Sequence, residues 1–272
     1  QVMARDCVAI VINEMPNPAR RTSFTERLLN SAVFEVTRRN LLTEILPVKD
    51  LPKLYNGYTK AVLLLLSEQV IEQHFEQLSA LSMPILTVNK QYAFSSAVCT
   101  DHGEGVRLAL EHLYERGHRR IAVTVDQFFN QAGRERLDAY RAFLSAHGLP
   151  ELEPVMYTDL EPEGSNHRLL QLLKQEPTAL IACGEGVALP VLHELHRLGI
   201  RIPEDLSLVT SELSGISGWM TPELTTIDQE LDQLAAATVA ELVKLIRHPE
   251  TPQEVRWLHT HLIVRNSVRN LE

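Results

Sequence analysis

Along the chain, apolar runs of strand length alternate with stretches in which apolar residues recur every three or four positions. CVAIVI (7–12) is a continuous apolar run as long as a buried strand, and FTERLLNSAVFEVTRR (24–39) behind it has helical spacing. The alternation continues through LLTEILPV (41–48), AVLLLL (61–66), the helical EQVIEQHFEQLSAL and PILTVN (84–89). A second series runs from helix EGVRLALEHLYERG (104–117) through strand RIAVTV (120–125), helix ERLDAYRAFLSAHG (135–148), a strand around PVMYT and a helix around 166–175. It ends with TALIAC (178–183), helix VALPVLHELHRLG (187–199) and strand LSLVT (206–210). Strands alternating with helices predict parallel sheets covered by helices on both faces. The expected fold is therefore α/β, with two similar doubly wound parallel-sheet lobes.

Length and composition agree with two packed lobes: 272 residues, 44% hydrophobic and 22% charged. The longest apolar run, AVLLLL, is far short of the ~20 residues that cross a bilayer, so no membrane span is expected. A net charge of −9 disfavours broad attraction to phosphate backbones, and no nucleic acid is expected to bind through this chain. The basic cluster in YERGHRRIAV (114–123) is expected to be the corner where a helix hands over to a strand, with Arg116 and His118 facing the freed carbonyls. Cys7, Cys99 and Cys183 lie in strand-like runs without metal-ligand spacing, which suggests reduced thiols in a cytoplasmic protein.

Several segments in fixed order carry a family resemblance. VCTDHGEGVRLALEHLYERGHRRIAV (98–123) resembles a block of the lactose/galactose-repressor family regulators, and GRERLDAYRAFLSAHGL resembles their R-x-x-G-Y segment. PTALIACGEGVALPVLHELHRLGIRIPEDLSLV, PELTTIDQE and LIVRNSVR resemble three later segments, so the likeness spans nearly the whole chain. The resemblance implies a periplasmic-binding-protein-like (type I) module, with a small polar ligand, a sugar or sugar derivative, held in a cleft between the lobes. Expected boundaries are 1–94 plus 228–248 for one lobe and 95–227 plus 249–272 for the other, with crossings near 92–97, 226–229 and 248–255. The resemblance further implies a homodimer, and operator DNA read by a helix-turn-helix domain that precedes the module and is absent from this chain.

Ligands of α/β sheets bind at the open ends of parallel strands, which is also where the resemblance places its contacts. Asp101 matches a motif aspartate that accepts hydrogen bonds from sugar hydroxyls, and is equally placed to cap a helix. Arg136 matches the motif arginine, whose guanidinium fork can grip vicinal hydroxyls, a carboxylate or a phosphate. Asn89, at the end of PILTVN, and Gln229, in TTIDQE, are either ligand contacts or hinge residues. Asn17-Pro18 resembles a family turn, and Phe24 beyond it either stacks on a sugar face or packs in the core. Tyr157 and Trp219 offer stacking surfaces, whereas Trp257 is expected to pack.

The departures bear on the ligand. Where relatives carry Asn-Asp, this chain has Gly184-Glu185, and TSEL puts Glu212 at the first acid of another contact pair. Glu185 and Glu212 are taken as longer carboxylates reaching the ligand. No nucleophile elbow, phosphate-cradling loop or H-E-x-x-H appears, so catalysis, a metal and a cofactor are not expected. The alternative is an exported periplasmic sugar-binding protein. The effector's identity, and whether it induces or corepresses, are not legible.

Overall fold

The computed structural model describes residues 6–14, 24–56, 58–128, 130–157, 162–213 and 215–271. The chain divides into two units, Gln1–Thr100 with Glu230–Leu258 and Asp101–Gln229 with His259–Glu272. It therefore crosses at 100/101, 229/230 and 258/259, each later than or at the edge of the expected position. Strand pairing is the reason. Strand β4 (Ile85–Val88) pairs with β5 (Ser96–Thr100), and β5 with β11 (Val255–Leu258), which retains 95–100 and 249–258 in the first unit.

The first unit contains β1 (Cys7–Ile12), β2 (Leu42–Pro47) and β3 (Thr59–Leu65) in a wholly parallel sheet of order β11-β5-β4-β3-β1-β2. Because side chains alternate across a strand, Val8, Ile10, Ala61 and Leu63 join one core while Ala9, Val11, Val62 and Leu64 join the other. Helices α1 (Phe24–Arg38) and α8 (Leu231–Arg247) cover the first core through Leu28, Ala32, Val239 and Leu242. A 3-10 segment (Val48–Asn56) with α2 (Glu68–Gln73) and α3 (Phe75–Ser79) covers the second. The helix expected over 68–81 is thus two short helices that meet at His74.

The second unit has sheet order β12-β10-β9-β8-β6-β7, parallel except that β12 (His261–Ile263) runs antiparallel to β10 (Thr225–Asp228). Helices α4 (His102–Glu115) and α5 (Gln131–His147) close one face over Val123 and Ile181 of β6 (Ile121–Val125) and β8 (Ala179–Ala182). On the other face, α6 (Pro162–Leu173) and α7 (Glu185–Arg197) bury Leu180 and Leu208, the latter on β9 (Ser207–Ser211). Each such fully buried side chain contributes ~2 kcal/mol. Strand β7 (Val155–Met156) is the short edge.

The basic cluster lies at the end of α4. Arg116 donates to the His112 carbonyl at 3.3 Å, and Arg119 donates to the Tyr114 carbonyl at 2.7 Å while stacking over the Tyr114 ring. His118 is buried between the Thr178 hydroxyl and the Arg269 carbonyl.

Candidate functional site

A doubly wound sheet opens a crevice where adjacent strands send their connections in opposite directions. In the second unit that point lies between β6, which continues to β7, and β8, which continues to β9. The residues leaving these strands are Asp126 on one side and Cys183-Gly184 on the other.

Asp126 accepts a hydrogen bond from Arg136 Nη1 at 3.2 Å. The Arg136 side chain is 8% exposed and that of Asp126 39%, so a nearly enclosed guanidinium is partnered by an open carboxylate. The start of α5 creates this arrangement. Asn130 caps the helix by accepting from the Gly133 N–H at 2.6 Å, and a Cβ on Gly133 would lie 1.8 Å from the Gln127 carbonyl oxygen. Only glycine lets the loop after β6 lie flush on the helix. Arg136 follows one turn later.

Gly184 has φ +108°, and a Cβ there would come within 2.9 Å of the Asp126 Cβ. Its N–H donates to the Ser211 hydroxyl at 3.0 Å, tying the ends of β8 and β9. Beside it, burial pushes the Cys183 thiol up to about 11, with Arg136 pulling down and Asp126 pushing up, so the sulfur stays protonated at neutral pH.

Other expected contacts have structural duties. Glu212, at the end of β9, accepts from the N–H groups of Leu213 and Gly215 at 3.1 Å each, from the Thr226 hydroxyl and from Arg265 at 3.1 Å. Against the upward push of burial, hydrogen bonds from the Thr226 and Ser217 hydroxyls and the guanidinium of Arg265 hold its carboxyl below the usual range, and Glu212 anchors the loop after β9. Asp101 is exposed and caps α4, accepting from the Glu104 N–H at 2.8 Å. Nearby Glu135 has its carboxyl raised by burial and by the Asp101 charge.

In the first unit, Asn89 has φ +55° and its amide oxygen accepts from both the N–H and the hydroxyl of Thr100, at 2.7 and 3.0 Å. It ties β4 to β5 immediately before a crossing. Phe24, the first residue of α1, is half-buried against the first core, which favours packing over stacking. At this unit's own switch point, between β1 and β3, Asn13 accepts from the Ser67 N–H at 3.0 Å. Asn17 and Pro18 lie outside the described residues. Next to Asn89, burial lowers the Lys90 ammonium while the Glu68 charge opposes the shift.

Gln229 is half-buried at the second crossing, and the Glu185 side chain lies outside the described residues. Trp219 is 87% exposed, whereas Tyr157 is buried with its hydroxyl donating to Asn166. Trp257, expected to pack, is half-exposed on the edge strand β11. Asp126 and Lys90 were not foreseen, although an ionisable residue directly after an apolar strand run is a signal each of them carries. Among the described residues no three or more His, Cys, Asp or Glu side chains group to hold a metal, and no helix is long and apolar enough to cross a membrane.

Comparison with known proteins gives one matching family model, described as a periplasmic binding protein-like domain, over residues 110–268. The chain is similar to the HTH-type transcriptional repressor PurR of Glaesserella parasuis, 32% identical over 177 residues that cover 62% of this chain and 52% of the repressor. It is also similar to the Probable HTH-type transcriptional repressor ExuR of Bacillus subtilis, 25% identical over 226 residues, covering 81% of this chain and 66% of that one. The chain thus spans about half to two-thirds of the lengths of these curated relatives. Among solved structures, a transcriptional regulator CelR–cellobiose complex superposes with TM-score 0.81 at 25% identity, covering 97% of this chain and 85% of that one. A regulator of the lactose-repressor family from Enterococcus faecium with bound ribose superposes with TM-score 0.79 at 22% identity, covering 98% of this chain and all of that one.

Proposed function

The chain belongs to the periplasmic binding protein-like domain family, in the form carried by lactose/galactose-repressor regulators, and from that premise we propose that it is the effector-sensing module of a DNA-binding transcriptional regulator. The effector is a small polar molecule, a carbohydrate in class, bound at the carboxyl ends of the second unit's strands by Arg136, Asp126 and the backbone around Gly184. Asp101 and Gln229 complete this edge. One observation carries the reading: Arg136, Asp126, Gly184 and Ser211 meet at the point where β6 and β8 diverge. The cellobiose held by a regulator of the same fold supports a sugar as the class.

The module acts in the cytoplasm as a homodimer and reaches operator DNA through a helix-turn-helix domain. The similarity to HTH-type transcriptional repressors favours this over periplasmic transport. A ligand shifts such a regulator only by its difference in affinity for two conformational states. A thermal-unfolding screen of the purified chain against sugars, sugar phosphates and nucleosides tests the proposal. Ligand at 100 times its Kd adds ~2.7 kcal/mol of stability. The reading requires a stabilising sugar whose effect is lost in Arg136→Ala, and an Arg136→Ala protein that responds like wild type contradicts it.

A further inference from the structure

An arginine at a binding edge ordinarily invites an anion, because its fork matches the two oxygens of a carboxylate or phosphate. Here Asp126 already holds Nη1, and the remainder of the guanidinium is nearly enclosed. Gly184 makes this possible. Its missing side chain leaves room for Asp126, whose Cβ and Cγ would be 2.9 and 3.0 Å from a Cβ at that position. The Gly184 N–H is donated to Ser211 and so is not free to greet an anion. The neighbouring charges lean the same way: beside Asp126, the Glu135 carboxylate interacts with both Arg136 and Asp101.

We propose that Asp126 is the residue that sets ligand charge: it fills the anion-binding side of Arg136 and turns an acceptor outward, so the site takes neutral or amine-bearing sugars and rejects sugar acids and phosphates. An incoming anion must displace Asp126 or lie beside it, and like charges brought together repel. A hydroxyl or ammonium donates to the same carboxylate at no such cost. This inference rests on the effector reading above and adds the ligand's charge class to it.

The test uses inorganic phosphate as the minimal anion, in thermal unfolding at constant ionic strength, together with four matched sugars: glucose, glucosamine, glucuronate and glucose 6-phosphate. Wild type is expected to show no saturable stabilisation by phosphate. Asp126→Asn, which retains size and removes charge, is expected to bind phosphate at least about tenfold more tightly, and the gain is expected to vanish in the Asp126→Asn/Arg136→Gln double variant. Asp126→Gly is measured alongside, and folding of each variant is checked by near-ultraviolet circular dichroism. The inference is overturned if neither single variant gains phosphate affinity, or if wild type prefers glucuronate or glucose 6-phosphate to the uncharged parent. A silent sugar panel with the phosphate gain intact upholds the role of Asp126 and counts against the carbohydrate reading alone.

Discussion

At position 184 a side chain has nowhere to go, since it would meet Asp126 at 2.9 Å on a backbone with φ +108°. Gly184→Ala is therefore expected to cost about 1–3 kcal/mol in urea unfolding. Gly148→Ala, also left-handed at φ +63° but with nothing within 4 Å of the added Cβ, is expected to cost less. Equal losses would show that backbone conformation, not the approach of Asp126, is the constraint. Removing Glu212 takes from Arg265 its carboxylate partner and from the Gly215 N–H its acceptor, while Arg265 keeps the Leu224 carbonyl and Thr226 hydroxyl and the Leu213 N–H keeps Ser217, so Glu212→Ala is expected to lose about 1–3 kcal/mol. The sequence put an acid at 212 but could not reveal its partners, because Arg265 arrives from a strand end 53 residues later.

His118 gives a pH dependence of definite sign. Burial lowers its pKa from 6.5 to about 4, aided by the charges of Arg269, Arg116 and Arg119, so the folded ring is neutral at pH 7. The neutral ring donates from Nε2 to the Arg269 carbonyl and accepts the Thr178 hydroxyl proton at Nδ1. The unfolded chain takes up a proton near 6.5, ahead of the folded state. Stability is thus complete above that pH and falls as pH drops toward 4, by on the order of 1–3 kcal/mol. His112, lowered to about 4 by burial and by Arg116 and His118, adds a parallel loss. His118→Gln is expected to reduce the fall between pH 6.5 and 4, leaving the part due to His112, and an unchanged slope would assign the fall to His112 and to carboxylates elsewhere.

Among the elements, α4 shows what local chemistry determines. Asp101 caps it, Glu104 in its first turn accepts from the Thr260 N–H at 3.0 Å, and the guanidinium groups of Arg116 and Arg119 each hold a carbonyl at its other end. Asp101→Ala is expected to lose ~1 kcal/mol of stability while Asp101→Asn retains the cap. If Asp101→Asn instead abolishes ligand response at full stability, the carboxylate serves the ligand as well as the helix. Elements with two buried faces were legible because unbroken apolar runs such as CVAIVI and AVLLLL have no alternative in water. β11 was not: Val255, Arg256 and Trp257 are all exposed on a sheet edge, so no hydrophobic pattern marks them and the unit boundary was misplaced there.

In the molecule as a whole, the order of strands decides where chemistry can occur, and order is a property no local window carries. The segments around Arg136 and Gly184 were readable as parts of one family pattern. Their meeting with Asp126 became visible only when β6 and β8 proved to be neighbours whose connections part. Oligomeric state belongs to the same scale. Phe75 on α3 and Leu189 on α7 are exposed apolar residues, and we propose that a second copy covers their helices. Sedimentation at micromolar concentration is expected to give a dimer, which Phe75→Glu with Leu189→Glu weakens; a wild-type monomer would remove the homodimer from the proposal.

The central claim is that a small polar ligand sits on the carboxyl-end edge of the second unit's sheet. Hydrogen–deuterium exchange with and without the stabilising sugar tests it most directly. Ligand is predicted to slow exchange in the loop after β6 with the start of α5, around Gly184, and just after Ser211. Slowing confined to other segments, with those three unchanged at saturating ligand, would contradict the account.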